Sequence, residues 1–287
     1  MKQYPSFLYK YCHPDRVDVL INGEIRYSQL ESFNDPFEGR PEIKKFLNDV
    51  SKDDLPGIDP ENFRLAYAIL DPETKSEYSF DDFLGAVACA ESKRFLDIFN
   101  DLPKHESEIS KLLIRLLDMH RGVLCLSEVP DSLLMWAHYA ASHSGYVIEF
   151  DARHQYFNDR HSSKNELNHL HRVLYRETRP SLHDEDFGMM ELSFTKSGHW
   201  AYEREWRITR SFVEANKSFS CNSEMIHLFK FPPEIVRGII LGARISQKTE
   251  SKLRKLILSD ARYSGVRLRR SVPDSAHFHL RMIDETV

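Results

Sequence analysis

GVLCLSEVPDSLLMWAHYAASHSGYVIEFD, residues Gly122 to Asp151, packs three structural signals into thirty positions. GVLCLSE is an apolar run with β-prone residues and reads as a buried strand. In PDSLLMWAHYAASH the apolar residues recur at three-and-four spacing, and Asp131 or Ser132 can cap a helix there. GYVIEFD reads as a second strand. Further along, LSFTKSGHWAYEREWRITR, EMIHLFKF and IVRGIILG carry strand patterns. They are followed by a helix, SQKTESKLRKLILSD, and a last strand, GVRLRRSV. Toward the N-terminus, FLYKY is aromatic and β-prone. HPDRVDVLINGEIRYS then predicts a short helix, a turn at Asn22-Gly23 and another strand. Strands with few helices between them point to an α+β fold rather than a doubly wound parallel sheet.

Between these runs, ESFNDPFEGRPEI is a loop in which Asn34 and Asp35 are turn formers or ligand contacts, and Phe33 and Phe37 can pin it to the core. Residues 40–120 differ in character. EIKKFLNDV, PENFRLAYAIL, DDFLGAVACAESKRFLDIFNDL and HESEISKLLIRLLDMHR all show helical spacing, broken by Pro56, Pro60 and Pro72. The expected organisation is one α+β domain over residues 1–287 with a helical insertion at 40–120.

With 287 residues, 41% of them hydrophobic, the chain is long enough to bury a core. Its formal charge of -5 lacks the basic excess of sequence-independent nucleic-acid binding, so nucleic acid is not indicated. No run of eighteen apolar residues suggests a membrane span, and MKQYPSFLYKYCHPDR has no signal-peptide pattern, so the expected location is the cytoplasm. Cys12, Cys89, Cys125 and Cys221 form no CxxC pair. His161, His169, His171 and His183 match no familiar metal-ligand spacing, and no metal is expected.

Ser127 and Glu128 end the first strand of the opening stretch, where a helix N-terminus would suit a phosphate-bearing ligand. On the following helix Met135, Tyr139 and Ser142 share one face, and Leu134, His138 and Ala141 another. Trp136, His138 and Tyr139 are then either core residues or pocket walls. No GxSxG elbow surrounds Ser127, which argues against a serine nucleophile. In SGHWAYEREWRITR, strand alternation sends Glu203, Glu205 and Arg207 to one face and Tyr202, Arg204, Trp206 and Ile208 to the other. The glutamates are a working pair, one with a raised pKa, or part of an exposed charge ladder with Arg204, Arg207 and Arg210. Lys10, between Tyr9 and Tyr11, is an edge residue or a ligand contact.

In this order, FLYKY, NGEIRYSQLESFNDPFEG, CLSEVPDSLLMWAHYAASHSGYVIEFD and KSGHWAYEREWRI resemble a large bacterial and phage family known only as a domain of unknown function, over about residues 7–245. The same layout is similar to that of ADP-ribosyltransferases. That resemblance implies a split, mainly antiparallel sheet with an NAD cleft. It implies Lys10 or Tyr11 at the nicotinamide ribose, where such enzymes carry His or Arg, and Ser127, with Tyr139 as rival, at the nicotinamide pocket. Glu205 would bond the ribose and stabilise the oxocarbenium-like transition state, with Glu203 at the preceding acidic position. Trp136, Tyr139 or Phe37 would cover the nicotinamide, and His138, Asn34 and Asp35 complete the expected binding set. The expected function is an NAD-consuming enzyme acting on a protein or nucleic-acid target, in a toxin or phage-defence setting. The alternatives are a non-catalytic module binding a nucleotide or phage component, and a metal-dependent nuclease or phosphodiesterase built on Glu128, Glu149, Glu203 and Glu205.

Overall fold

The computed structural model describes residues 4–42, 79–80, 121–158, 166–181, 189–222 and 224–286. Most of the expected insertion, along with Cys89, His161 and His183, lies outside the described residues. The chain divides into two compact units. One comprises Met1–Arg40, Ile114–Pro180 and Asp186–Val287, and the other Pro41–Leu113 and Ser181–Glu185. Every strand among the described residues belongs to the first unit.

The fold is α+β with mainly antiparallel pairing. The N-terminal order is the expected one: β1 (Phe7–Cys12), a 3-10 turn, α1 (Asp18–Asn22) and β2 (Glu24–Tyr27). Gly23 ends α1 at φ 64°, a left-handed position that glycine occupies without steric cost. The stretch from Gly122 forms β3 (Arg121–Ser127), α2 (Leu133–Tyr139) and β4 (Tyr146–Asp151). Ser132 caps α2, its side chain accepting from Met135 N. Short strands β5 (His171–Arg172) and β6 (Leu174–Arg176) follow.

The sequence from Leu192 is not one strand. It folds as α3 (Met189–Phe194), β7 (Thr195–Ser197), a 3-10 helix (Gly198–Glu203) and β8 (Glu205–Ser211). Then come β9 (Lys217–Cys221), β10 (Glu224–Lys230), β11 (Val236–Leu241), the longer helix α4 (Gln247–Ser259) and β12 (Arg267–Pro273). The expected last strand is not last, since β13 (Leu280–Glu285) pairs antiparallel along β12.

Eight strands form one sheet in the order β13-β12-β11-β4-β1-β3-β8-β5, beside a three-stranded sheet β2-β10-β9 and the pair β6-β7. Alternation divides the core. Tyr146, Ile148 and Phe150 of β4 pack with Leu253 and Ile257 of α4 on one face, while Val147 joins Met135 and Trp136 of α2 on the other. The sheet is nearly divided in the middle. β1 and β3 share the single registered pair Tyr9↔Ser127, whereas β1–β4 and β3–β8 are registered along their lengths. Among the described residues no helix is long and apolar enough to cross a membrane.

Candidate functional site

A cleft of about 330 Å³ opens at this seam, on the face covered by α2. Tyr9, Lys10 and Tyr11 of β1, Cys125 and Ser127 of β3, and Glu205 of β8 line it. Met135, His138 and Tyr139 of α2, Phe33 and Asn34 of the loop after β2, and Lys196 and Glu203 complete its wall. Lys10 thus stands on a central strand, not an edge. Alternation puts it on the face opposite Tyr9 and Tyr11, and its Nζ donates to the Cys125 carbonyl at 3.0 Å across the open seam.

Three expected contacts are elsewhere, among them Phe37, which is 59% exposed and outside the cleft wall. Trp136 is fully buried in the core, its Nε1 donating to Pro130 O at 2.8 Å and its ring edge-on to Tyr11. Asp35 is buried too, and its Oδ1 accepts from Phe37 N at 2.9 Å, the turn-forming role. Asn34 does face the cleft, donating to the Tyr139 hydroxyl at 3.1 Å.

The two glutamates meet by a route that strand alternation does not describe. Glu203 closes the 3-10 helix and Arg204 takes a left-handed conformation (φ 45°), so β8 starts only at Glu205. This kink lets both carboxylates reach one ammonium group: Lys196 Nζ lies 2.7 Å from Glu203 Oε2 and 3.2 Å from Glu205 Oε2. The exposed charge ladder is overturned, since Glu203, Glu205 and Arg207 are all buried. Arg207 donates through Nε to Glu205 Oε1 and through Nη2 to Glu205 Oε2, both at 2.9 Å, and also pairs with Glu38. Its Nη1 donates to Ser193 O at 2.7 Å. Lys196 lies 3.6 Å from Glu38 and 4.9 Å from the centre of the Trp200 ring.

Three buried carboxylates thus share two cations, and their proton affinities separate. Burial opposes the charge of Glu205, but Arg207 and Lys196 outweigh it and hold that carboxyl at about 2. Glu203 is raised by burial and by the charge of Glu205, against the pull of Lys196. Burial also raises Glu38, against Arg207 and Lys196. Tyr139 donates to Glu203 Oε1 at 2.6 Å, and burial with the Glu203 charge pushes its own pKa up. The two cations thus favour the ionised form of Glu205, while burial favours the protonated form of Glu203. Glu38, Lys196 and Arg207 were not among the expected site residues, although Glu38 and Lys196 stand inside the NDPFEG and KSGHWAYEREWRI motifs.

Ser127 acts as a brace. Its hydroxyl donates to Glu203 O at 2.6 Å and accepts from Val129 N at 3.1 Å, which fixes the backbone beside the carboxylate. Glu128, expected beside a phosphate at the start of α2, is instead engaged within the protein, accepting from Trp206 Nε1 at 2.7 Å and pairing with Arg204 at 2.6 Å. Glu149 lies apart, paired with Arg267 at 2.6 Å and with Arg269. The four carboxylates of the nuclease reading are thereby distributed over three separate ion-paired settings.

Part of the cleft wall lies in a segment, shorter than the expected 7–245, that matches a known sequence family. Residues 135–208 match the family described as Protein of unknown function (DUF2971). The matched segment contains Tyr139, Lys196, Glu203, Glu205 and Arg207, and it supports the resemblance to a domain-of-unknown-function family. No curated protein and no solved structure matches the chain.

Proposed function

We propose that the cleft binds NAD and that the protein breaks its nicotinamide–ribose bond, transferring the ADP-ribosyl group to a protein or nucleic-acid target in a toxin or phage-defence setting. The observation carrying this reading is that Lys10, Ser127, Glu203 and Glu205, from separate stretches of the chain, line one cleft at the split in the sheet. Its volume of about 330 Å³ suits the nicotinamide–ribose end of a dinucleotide. On the same sheet face a cross-strand row runs Glu205, Ser127, Tyr9, Glu149, Gly238, Arg267. The row is acidic at the cleft and leads to Arg267 and Arg269, which gives the phosphates a cationic direction in which to lie.

Breaking the C–N bond sends its electron pair out with neutral nicotinamide and builds positive charge on the ribose carbon. A fixed carboxylate beside that carbon is worth most at the transition state. This reading gives the role to Glu203 ahead of Glu205, because Arg207 grips Glu205 at both oxygens and Lys196 adds a third contact, whereas Glu203 meets one cation and the Tyr139 hydroxyl. Lys196 and Tyr139 aim Glu203. Its raised proton affinity suits it to accept the proton of the acceptor nucleophile as the new ribose bond forms.

A non-catalytic nucleotide-binding module is the second reading, favoured by the engagement of both carboxylates with protein partners. Calorimetric titration with NAD tests the shared claim. Saturable binding is expected, weakened about ten-fold or more by Lys10→Ala through loss of a positioned charge. Absence of binding by the unaltered chain sinks the NAD reading and leaves the module only with a ligand other than NAD. Binding without turnover, insensitive to Glu203→Gln, selects the module.

A further inference from the structure

The turn joining β12 to β13, DSAHFH from Asp274 to His279, is far along the chain from the cleft residues and takes no part in their network. Asp274 Oδ1 accepts from Ala276 N at 2.9 Å and His277 N at 3.0 Å, while Asp274 N donates to His279 O at 3.0 Å. The carboxylate is thus held in place by backbone before any ligand arrives. His277 Nδ1 lies 3.3 Å from Asp274 Oδ1, and His279 Nε2 lies 3.7 Å from Oδ2. One ligand-type atom from each of the three residues falls within 4.8 Å of the others.

We propose that Asp274, His277 and His279 form a binding site for a first-row divalent metal ion of the zinc class. The His277–Asp274 distance is that of a weak hydrogen bond, and the His279–Asp274 distance lies beyond the usual N···O limit of about 3.2 Å. They are close to the edge of a coordination tetrahedron: bonds of about 2.0–2.1 Å to zinc place neighbouring ligand atoms roughly 3.3 Å apart. Two imidazoles with one carboxylate suit zinc in particular, and leave a fourth position for water or another donor. Space for it exists, since a cleft of about 450 Å³ lies against the turn and is lined also by Leu133, His143 and Arg244.

The side chains of His277 and His279 are 77% and 50% exposed, so a small rotation of each ring closes the remaining gap. The backbone bonds to Asp274 supply the outer support that orients a ligating carboxylate. Arg281, whose Nε lies 3.2 Å from Asp274 Oδ2, is the cation the metal displaces, and its 54% exposure lets it swing into solvent. Bound metal would pin the β12–β13 turn at the edge of the sheet.

The test is calorimetric titration of Zn²⁺ into the chelator-treated full chain and into a variant carrying both His277→Ala and His279→Ala. The unaltered chain should bind zinc with a component that the double variant loses or holds at least about ten-fold more weakly, as removal of direct ligands demands. Equal unfolding midpoints of the two proteins without metal establish that the comparison is of binding alone. Failure of the unaltered chain to bind zinc, or equal binding by the double variant, overturns the site.

Discussion

Glu205 shows how a residue can line a cleft without being free to work in it. Its carboxylate meets Arg207 twice and Lys196 once, all within the protein interior. Removing one member of such a buried group leaves its partners uncompensated, at a cost of about 3–5 kcal/mol. Glu205→Gln is therefore expected to lower the urea unfolding midpoint sharply, and an unchanged midpoint would contradict the network. The pH dependence has a definite sign. The folded pKa of about 2 lies below the ordinary 4.5, so the stability Glu205 contributes is present above 4.5 and is lost as pH falls toward 2. Glu203 and Glu38, raised in the fold, act the other way and favour the folded state as they take up protons. Urea midpoints measured from pH 3 to pH 7 should fall on the acid side for the unaltered chain and flatten there in Glu205→Gln.

Among the elements, the link between α2 and β4 carries the tightest constraints. Ala141, Ser142 and His143 follow one another at φ 46°, 54° and 69°, a left-handed turn that non-glycine residues adopt only when packing enforces it. Gly242, just after β11, brings its backbone against this turn, its N–H donating to Gly145 O at 3.0 Å, and Arg244 N donates to His143 O at 2.9 Å. A Cβ on Gly242 would meet His143 O at 2.2 Å and Gly145 O at 2.6 Å, both backbone atoms that cannot rotate away. Gly242→Ala is expected to cost roughly 1–3 kcal/mol as an overpacked substitution, visible as a lowered melting temperature. Because this turn follows the helix that presents Tyr139, the same change should also weaken ligand binding. Strands with a buried face, such as β3, β4 and β11, are legible from apolar pattern alone. The run from Leu192 to Arg210 is not. Its helix α3 is too short to display a helical period, and Arg204 breaks the strand through a left-handed residue that no composition signal announces. β13 is equally silent in the sequence, because LRMIDE is largely exposed and lacks apolar alternation.

At the scale of the whole molecule, the seam between β1 and β3 decides where chemistry can occur. A sheet joined there by one registered pair leaves room between its halves, and polar residues from both halves face it. Of the ten site residues expected from the sequence, Lys10, Tyr11, Asn34, Ser127, His138, Tyr139, Glu203 and Glu205 line the cleft, and Trp136 and Asp35 do not. Glu38 cannot be read the same way, since it reaches Arg207 across 169 positions, while Lys196 and Arg207 stand near the glutamates in sequence but meet them through a kink at Arg204 that strand alternation does not describe. Trp136 belongs to the core rather than the cleft, and an aromatic on a short helix looks alike in sequence whether it faces core or ligand. The central claim, that this cleft cleaves NAD through Glu203, is most directly tested by following nicotinamide release from NAD by the purified chain and by Glu203→Gln. Release by the unaltered chain and its fall by at least about a hundred-fold in the variant is the predicted result. Equal release by both proteins, or none by either, contradicts it.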